Sequence, residues 1–263
     1  MDLLTFFTGG LPAWGLAIVL PLLFAAGFVD AIGGGGGLIS IPAYLLSGLP
    51  PHIAIGTNKL SSSMGTAVAT GHYARRGYIP WKTAGASVAF ALAGSFAGAR
   101  LTLVASEFAL TVFMLVALPV IAFYVVWKKD LVNEKPPLSA RRTLALCAGI
   151  AFAVGVYDGF YGPGTGTFLM LLLTGAARLD VFRAAGVTKA INLTTNVTAL
   201  VVFLSSGVVL VGLGLLAGAF NIAGNYLGAR MFSSKGQAIV RPIILVVLAV
   251  FAARLVAQLV GLA

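Results

Sequence analysis

The 263-residue sequence predicts an all-α polytopic membrane protein of two inverted repeats. Each repeat has three full spans plus a glycine-broken helix or hairpin unit, about eight spans in conventional counting. Three observations predict this. The chain is 59% hydrophobic and only 9% charged, with mean hydropathy +1.02, whereas soluble domains carry about a quarter charged residues. Its motifs occur twice. Its basic loops alternate between the halves with opposite sense.

The duplication is read motif by motif. Gly27-Phe28-Val29-Asp30 ahead of the five glycines at 33–37 returns as Gly155-Val156-Tyr157-Asp158 ahead of Gly162-Pro163-Gly164-Thr165-Gly166. Gly56-Thr57-Asn58-Lys59 returns as Gly186-Val187-Thr188-Lys189, and Gly98-Ala99-Arg100 as Gly228-Ala229-Arg230. The offset is 128 residues at the Asp match and 130 at the Lys, Gly77/Gly207 and Arg matches. Paired halves with glycine-broken apolar helices are the sequence mark of a secondary transporter.

Taken in order, apolar segments lie at about 13–32, 38–47, 54–74, 82–103 and 108–127, then at about 143–161, 165–174, 186–205, 208–230 and 241–262. The second segment of each half is only about ten residues, too short to span as a helix. It follows a glycine cluster, so the first two segments of each half read as one broken unit dipping into the membrane. The division is 1–127 for the first transmembrane repeat, 128–142 for a basic connector and 143–263 for the second repeat.

Loop charge orients the halves. In the first, Arg75, Arg76 and Lys82 flank the third-to-fourth connector, while its counterpart Ser205-Ser206-Gly207-Val208 is uncharged. The second half instead carries Arg178, Arg183, Lys235 and Arg241, where the first has Pro50-Pro51-His52 and the stretch 100–107. Basic loops mark the cytoplasmic side. The halves therefore sit upside down to each other, with the 128–142 connector cytoplasmic and both termini outside; Arg254 has no place in this scheme. Trp81 and Trp127, beside Lys82 and Lys128, read as interfacial anchors.

The net charge of +10 comes mainly from residues between apolar runs, which argues against nucleic-acid binding. One cysteine, Cys147, excludes an intramolecular disulfide and a Cys-rich metal site. Met1-Asp2-Leu3 lacks the basic start of a cleaved signal peptide. His52 and His72 are isolated, and no Walker, HExxH or GxSxG motif occurs. No enzyme, cofactor or metal is expected; uphill transport would draw on an ion gradient or a separate subunit.

Three groups of residues are candidates for function. Five consecutive glycines cannot hold a regular helix, and half-helices starting at such a break aim N–H groups at an anion. Gly34, Gly35, Gly36 and Gly37, with Gly162, Gly164, Thr165 and Gly166, are placed to do this; the bland alternative is close helix packing. Lys59, Ser62 and Thr66 share one helical face, and Lys189, Asn192 and Asn196 repeat the spacing, with Thr57, Asn58, Thr188 and Thr195 nearby. Ionisable residues inside a span usually face an interior cavity, and two lysines with hydroxyls and amides suit a small oxyanion; snorkelling lysines and helix-joining amides are the alternative. Asp30 and Asp158 would carry a coupling proton, pair with a basic group such as Arg100 or Arg230, or cap a half-helix.

These runs, with Ile55-Gly56-Thr57-Asn58-Lys59-Leu60 and Asp158-Gly159-Phe160-Tyr161-Gly162-Pro163-Gly164-Thr165-Gly166, resemble the sulfite exporter TauE/SafE family of membrane permeases over roughly residues 14–260. The resemblance implies an inner-membrane protein of the bacterial type, often described with eight spans in two related halves, moving sulfite, sulfoacetate or other small sulfur-containing or organic anions. Expected partners are a small anionic substrate, the lipid bilayer and a coupling proton or cation. Lipid-facing and partner-facing apolar surfaces read alike, so a homo-oligomer stays open. A passive anion channel and a membrane scaffold or sensor subunit are the rival readings.

Overall fold

A computed structural model describes residues 3–127, 136 and 138–232. The expected last span at 241–262, most of the connector, Lys235, Arg241 and Arg254 lie outside the described residues, as does the Trp127 side chain. Ten helices run along the described chain. The first repeat holds α1 (Leu3–Thr8), α2 (Ala13–Gly33), α3 (Gly37–Leu46), α4 (Pro51–Arg75), α5 (Trp81–Val104) and α6 (Glu107–Trp127). The second holds α7 (Ala140–Phe160), α8 (Thr165–Gly175), α9 (Val181–Ser205) and α10 (Val211–Arg230). Helix α1 was not expected from the sequence, and α7 starts early enough to take Arg141 and Arg142 out of the connector.

Five of the described helices, α2, α5, α7, α9 and α10, are long and apolar enough to cross a membrane. Helix α4 has the length but carries Thr57, Asn58, Lys59, Ser61, Ser63 and Thr66, all buried, so its polarity is turned inward. The broken units are hairpins. Gly34 closes α2 in the left-handed region at φ 73°, its N–H donating to the Asp30 carbonyl at 2.9 Å. The 10-residue α3 then returns, a rise of about 15 Å, half a bilayer core. Its end at Ser47 lies against Gly15, near the start of α2. Helices α7 and α8 turn the same way through Gly162 (φ 96°) and Gly164 (φ 81°).

The halves are interleaved. Helix α2 packs on α10 of the other repeat, and α7 packs on α5, through matching glycines. A Cβ on Gly224 or Gly228 would lie 2.0 or 2.4 Å from the carbonyl oxygens of Phe24 and Phe28. At the equivalent positions, Gly94 and Gly98 would meet those of Phe152 and Val156 at 2.3 and 2.0 Å. Without a hydrophobic drive between helices in lipid, such backbone approach is what binds them.

The contacts also give the directions. Phe24 and Phe28 meet Gly224 and Gly228 in ascending order, and Leu60 and Met64 meet Gly214 and Gly218, so α2, α4 and α10 run parallel. Tyr78 meets Gly186 and Ser95 donates to the Thr195 carbonyl at 2.7 Å, while Gly94 and Gly98 meet Phe152 and Val156, so α5, α7 and α9 run parallel. Lys59 reaches Asn196 whereas Thr70 reaches Lys189, so α4 and α9 are opposed. Three helices of the first repeat thus oppose their counterparts (α2 and α7, α4 and α9, α5 and α10), which is the inversion among the described residues.

Candidate functional site

The two hairpin tips meet. A Cβ on Gly34 would lie 2.4 Å from the main chain of Gly166, and one on Gly37 would lie 2.9 Å from Pro163. Thr167 Oγ1 donates to the Gly33 carbonyl at 2.9 Å across the same contact. Helices α4 and α9 pass alongside and present their polar stripes to the tips.

There the four ionisable residues form two pairs, each joining opposite repeats. Lys59 Nζ donates to Asp158 Oδ2 at 3.0 Å, to the Asp158 carbonyl at 2.7 Å and to Asn196 Oδ1 at 3.2 Å. Lys189 Nζ donates to Asp30 Oδ2 at 2.8 Å and to the Asp30 carbonyl. The expected alternative partners are elsewhere: Arg100 stacks over Phe96 at 5.2 Å and Arg230 over Tyr226 at 4.3 Å. The lysines do not snorkel to an interface; both are buried. Two cations and two carboxylates leave the centre without net charge.

Between the tips lies a small cavity of about 30 Å³, room for about two water molecules. Of the residues singled out from the sequence, Asp30, Gly34, Gly36, Gly37, Asn58, Lys59, Ser62 and Thr66 line it from the first repeat. Asp158, Gly162, Thr165, Gly166, Asn192 and Asn196 line it from the second. Six stand off the wall. Thr57 Oγ1 accepts from the Leu210 N–H at 3.1 Å and so ties α4 to α10. Thr188 is buried with a hydroxyl that meets no partner among the described residues, Thr195 Oγ1 donates to the Asn192 carbonyl at 3.1 Å, Gly164 caps α8, Lys189 lies behind Asp30, and Gly35 sits in the turn before α3.

Two of the wall's amide acceptors are engaged, while Asn192 Oδ1 and Asp30 Oδ1 meet no donor among the described residues. Asn58 Oδ1 accepts from Ser62 Oγ at 3.3 Å and Asn196 Oδ1 accepts from Lys59, which orients both amides. Their NH2 groups meet no acceptor among the described residues. In the first turns of α3 and α8, Gly37, Gly166 and Thr167 keep main-chain N–H groups without backbone acceptors among the described residues, while Leu38, Ile39 and Thr165 bond the turns before them.

Asn221 and Asn225 were missed. Asn221 lines the cavity, donating from Nδ2 to the Leu23 carbonyl at 3.1 Å, and Asn225 Nδ2 donates to Asn221 Oδ1 at 2.9 Å. Two amides four residues apart in an otherwise apolar span were the available signal.

The family model described as sulfite exporter TauE/SafE matches residues 19–255. A probable membrane transporter protein of Sinorhizobium sp, ORF9, is 37% identical, covering 92% of this chain and 93% of its own. A probable membrane transporter protein of Haemophilus influenzae is 34% identical over 92% of this chain and 94% of its own. The probable membrane transporter protein YfcA of Escherichia coli is 34% identical over 91% and 89%. No solved structure matches. With its duplicated glycine motifs, all-helical fold and full-length relatives, the chain belongs to the sulfite exporter TauE/SafE family of membrane proteins.

Proposed function

We propose that the protein is a secondary transporter that carries a small oxyanion, sulfite or an organosulfonate first among candidates, by alternating access. One observation carries the reading: Asn58 and Asn196 line the cavity between the inverted hairpins, with carbonyls already bonded and NH2 groups that meet no acceptor among the described residues. The tip-to-tip contact at Gly34 and Gly166 closes the cavity between the repeats, so passage requires the tips to part, alternately toward each side. Gradient coupling through a proton on Asp30 or Asp158 belongs to this proposal.

The same inversion supports an orientation. Connectors 76–80 and 176–180 lie at one end, where Arg76, Lys82, Arg178 and Arg183 gather. Connectors 47–50, 105–106 and 206–210 at the other end hold no Lys or Arg. The basic end is the cytoplasmic one in a bacterial-type plasma membrane, with the N-terminus outside.

The test is thermal unfolding of purified protein with sulfite, sulfoacetate, thiosulfate, sulfate, acetate and chloride, followed by flux into proteoliposomes for any anion that binds. Selective stabilisation with saturable flux is expected. A flat response across the panel removes the sulfur-oxyanion assignment. Flux that rises linearly without saturation favours the passive channel.

A further inference from the structure

The two lysine–aspartate pairs are counterparts by repeat, yet they are held differently. Lys59 uses all three of its N–H donors: two on Asp158 and one, at 3.2 Å, on Asn196 Oδ1. Asp158 Oδ1 also accepts from Thr165 Oγ1 at 2.8 Å. On the other side Lys189 reaches only the two oxygens of Asp30. Its third N–H meets no acceptor, and Asp30 Oδ1 meets no donor, among the described residues.

Two differences between the repeats cause this. The position matching Asn196 is Thr66, and the position matching Thr165 is Gly37. The Asp158 side chain is 5% exposed, that of Asp30 16%. Asp30 lines the cavity while Lys189 does not, so the carboxylate stands between the ammonium and any arriving ligand.

We infer that Asp30–Lys189 is the pair that opens, the substrate oxyanion taking the place of the Asp30 carboxylate on Lys189, while Lys59–Asp158 stays closed as a fixed tie. This rests on the anion-transport reading above. A carboxylate held through one oxygen by one ammonium exchanges for another oxyanion of similar charge; one held through both oxygens, on a lysine with no donor left, does not. The ligand class follows: an anion whose head group stands in for a carboxylate, namely a sulfite, a sulfonate or a carboxylate. Asn58 and Thr66 on the same wall remain for its other oxygens.

The experiment is a sulfite titration of purified full-length protein, read by thermal unfolding at fixed pH and ionic strength. Asp30→Asn removes the competing charge and is expected to tighten sulfite binding about tenfold. Asp158→Asn is expected not to tighten it, and to lower the anion-free Tm further than Asp30→Asn does. In case Asp158→Asn fails to fold, Thr66→Asn is the second variant. It offers Lys189 the carbonyl that Asn196 offers Lys59, and is expected to weaken sulfite binding about tenfold. Unchanged or weaker binding in Asp30→Asn, or unchanged binding in Thr66→Asn, overturns the inference. If the unaltered protein binds no sulfite, the anion reading falls separately. The inequivalence of the pairs is then read from the anion-free Tm values: a larger loss at Asp158 supports it and equal losses overturn it.

Discussion

Gly34 and Gly166 touch main chain to main chain, with 2.4 Å between the site of a Gly34 Cβ and the Gly166 backbone, and this contact joins the two repeats at the centre of the molecule. Gly34 is also held at φ 73°, where an L side chain is strained.

Gly34→Ala therefore meets both strain and a main-chain clash. A loss of at least about 2 kcal/mol is expected, measured by thermal unfolding in detergent. Gly71→Ala is the control, because a Cβ there meets nothing within 4 Å near the C-terminal end of α4. It should be neutral or stabilising by up to about 1 kcal/mol. Equal losses at both positions would show that the tip contact contributes little.

Lys59→Met should strand a buried carboxylate, since the Lys59 and Asp158 side chains are only 2% and 5% exposed. Removing one partner of such a pair costs about 3–5 kcal/mol. The double variant Lys59→Met/Asp158→Leu should recover most of it, because the unpaired charge is gone. Chemical denaturation of the two single variants and the double variant checks this; a double variant less stable than either single one would contradict it.

Asn58→Asp and Asn196→Asp each put a negative charge into the donor-lined cavity in place of an NH2 group. Sulfite flux into proteoliposomes is expected to fall at least about tenfold in each. Unimpaired flux would move the path elsewhere.

Arg76→Cys and Ser206→Cys lie in equivalent connectors of the two repeats, both exposed. In intact cells a membrane-impermeant maleimide should label Ser206→Cys, while Arg76→Cys should react only after the membrane is opened. The native Cys147 is fully buried and should not interfere. Labelling of both from the same side would rule out the opposed orientation in the membrane.

Much of this architecture was legible in the sequence because it is written in local terms. Membrane helices announce themselves by composition and length, so the segments at 13–32, 82–103 and 165–174 fall within a residue or two of α2, α5 and α8. The breaks at 33–37 and 162–166 were legible because only glycine tolerates the φ of 73°, 96° and 81° found at Gly34, Gly162 and Gly164. The reversed loop charges between Arg76 and Ser206 made the inversion readable. So did the facing of Lys59, Ser62, Asn192 and Asn196 toward one cavity, since helical spacing alone puts them on one stripe.

Partnership was decided only by the tertiary structure. Nothing in the motif at Asp30 says that its cation is Lys189, 159 residues away, rather than Arg230. Nor does the Gly98 motif say that its helix packs on α7 rather than on α2. Both are long-range choices, made where interleaved repeats bring the backbones together. A buried charge must take whichever opposite charge that packing brings within reach. The same packing enlists Asn221 for the cavity and withdraws Thr57 to bond Leu210. The sequence by itself determined the elements, their breaks and their opposed sense; tertiary structure decided which charge meets which, because that depends on distance through space and not along the chain.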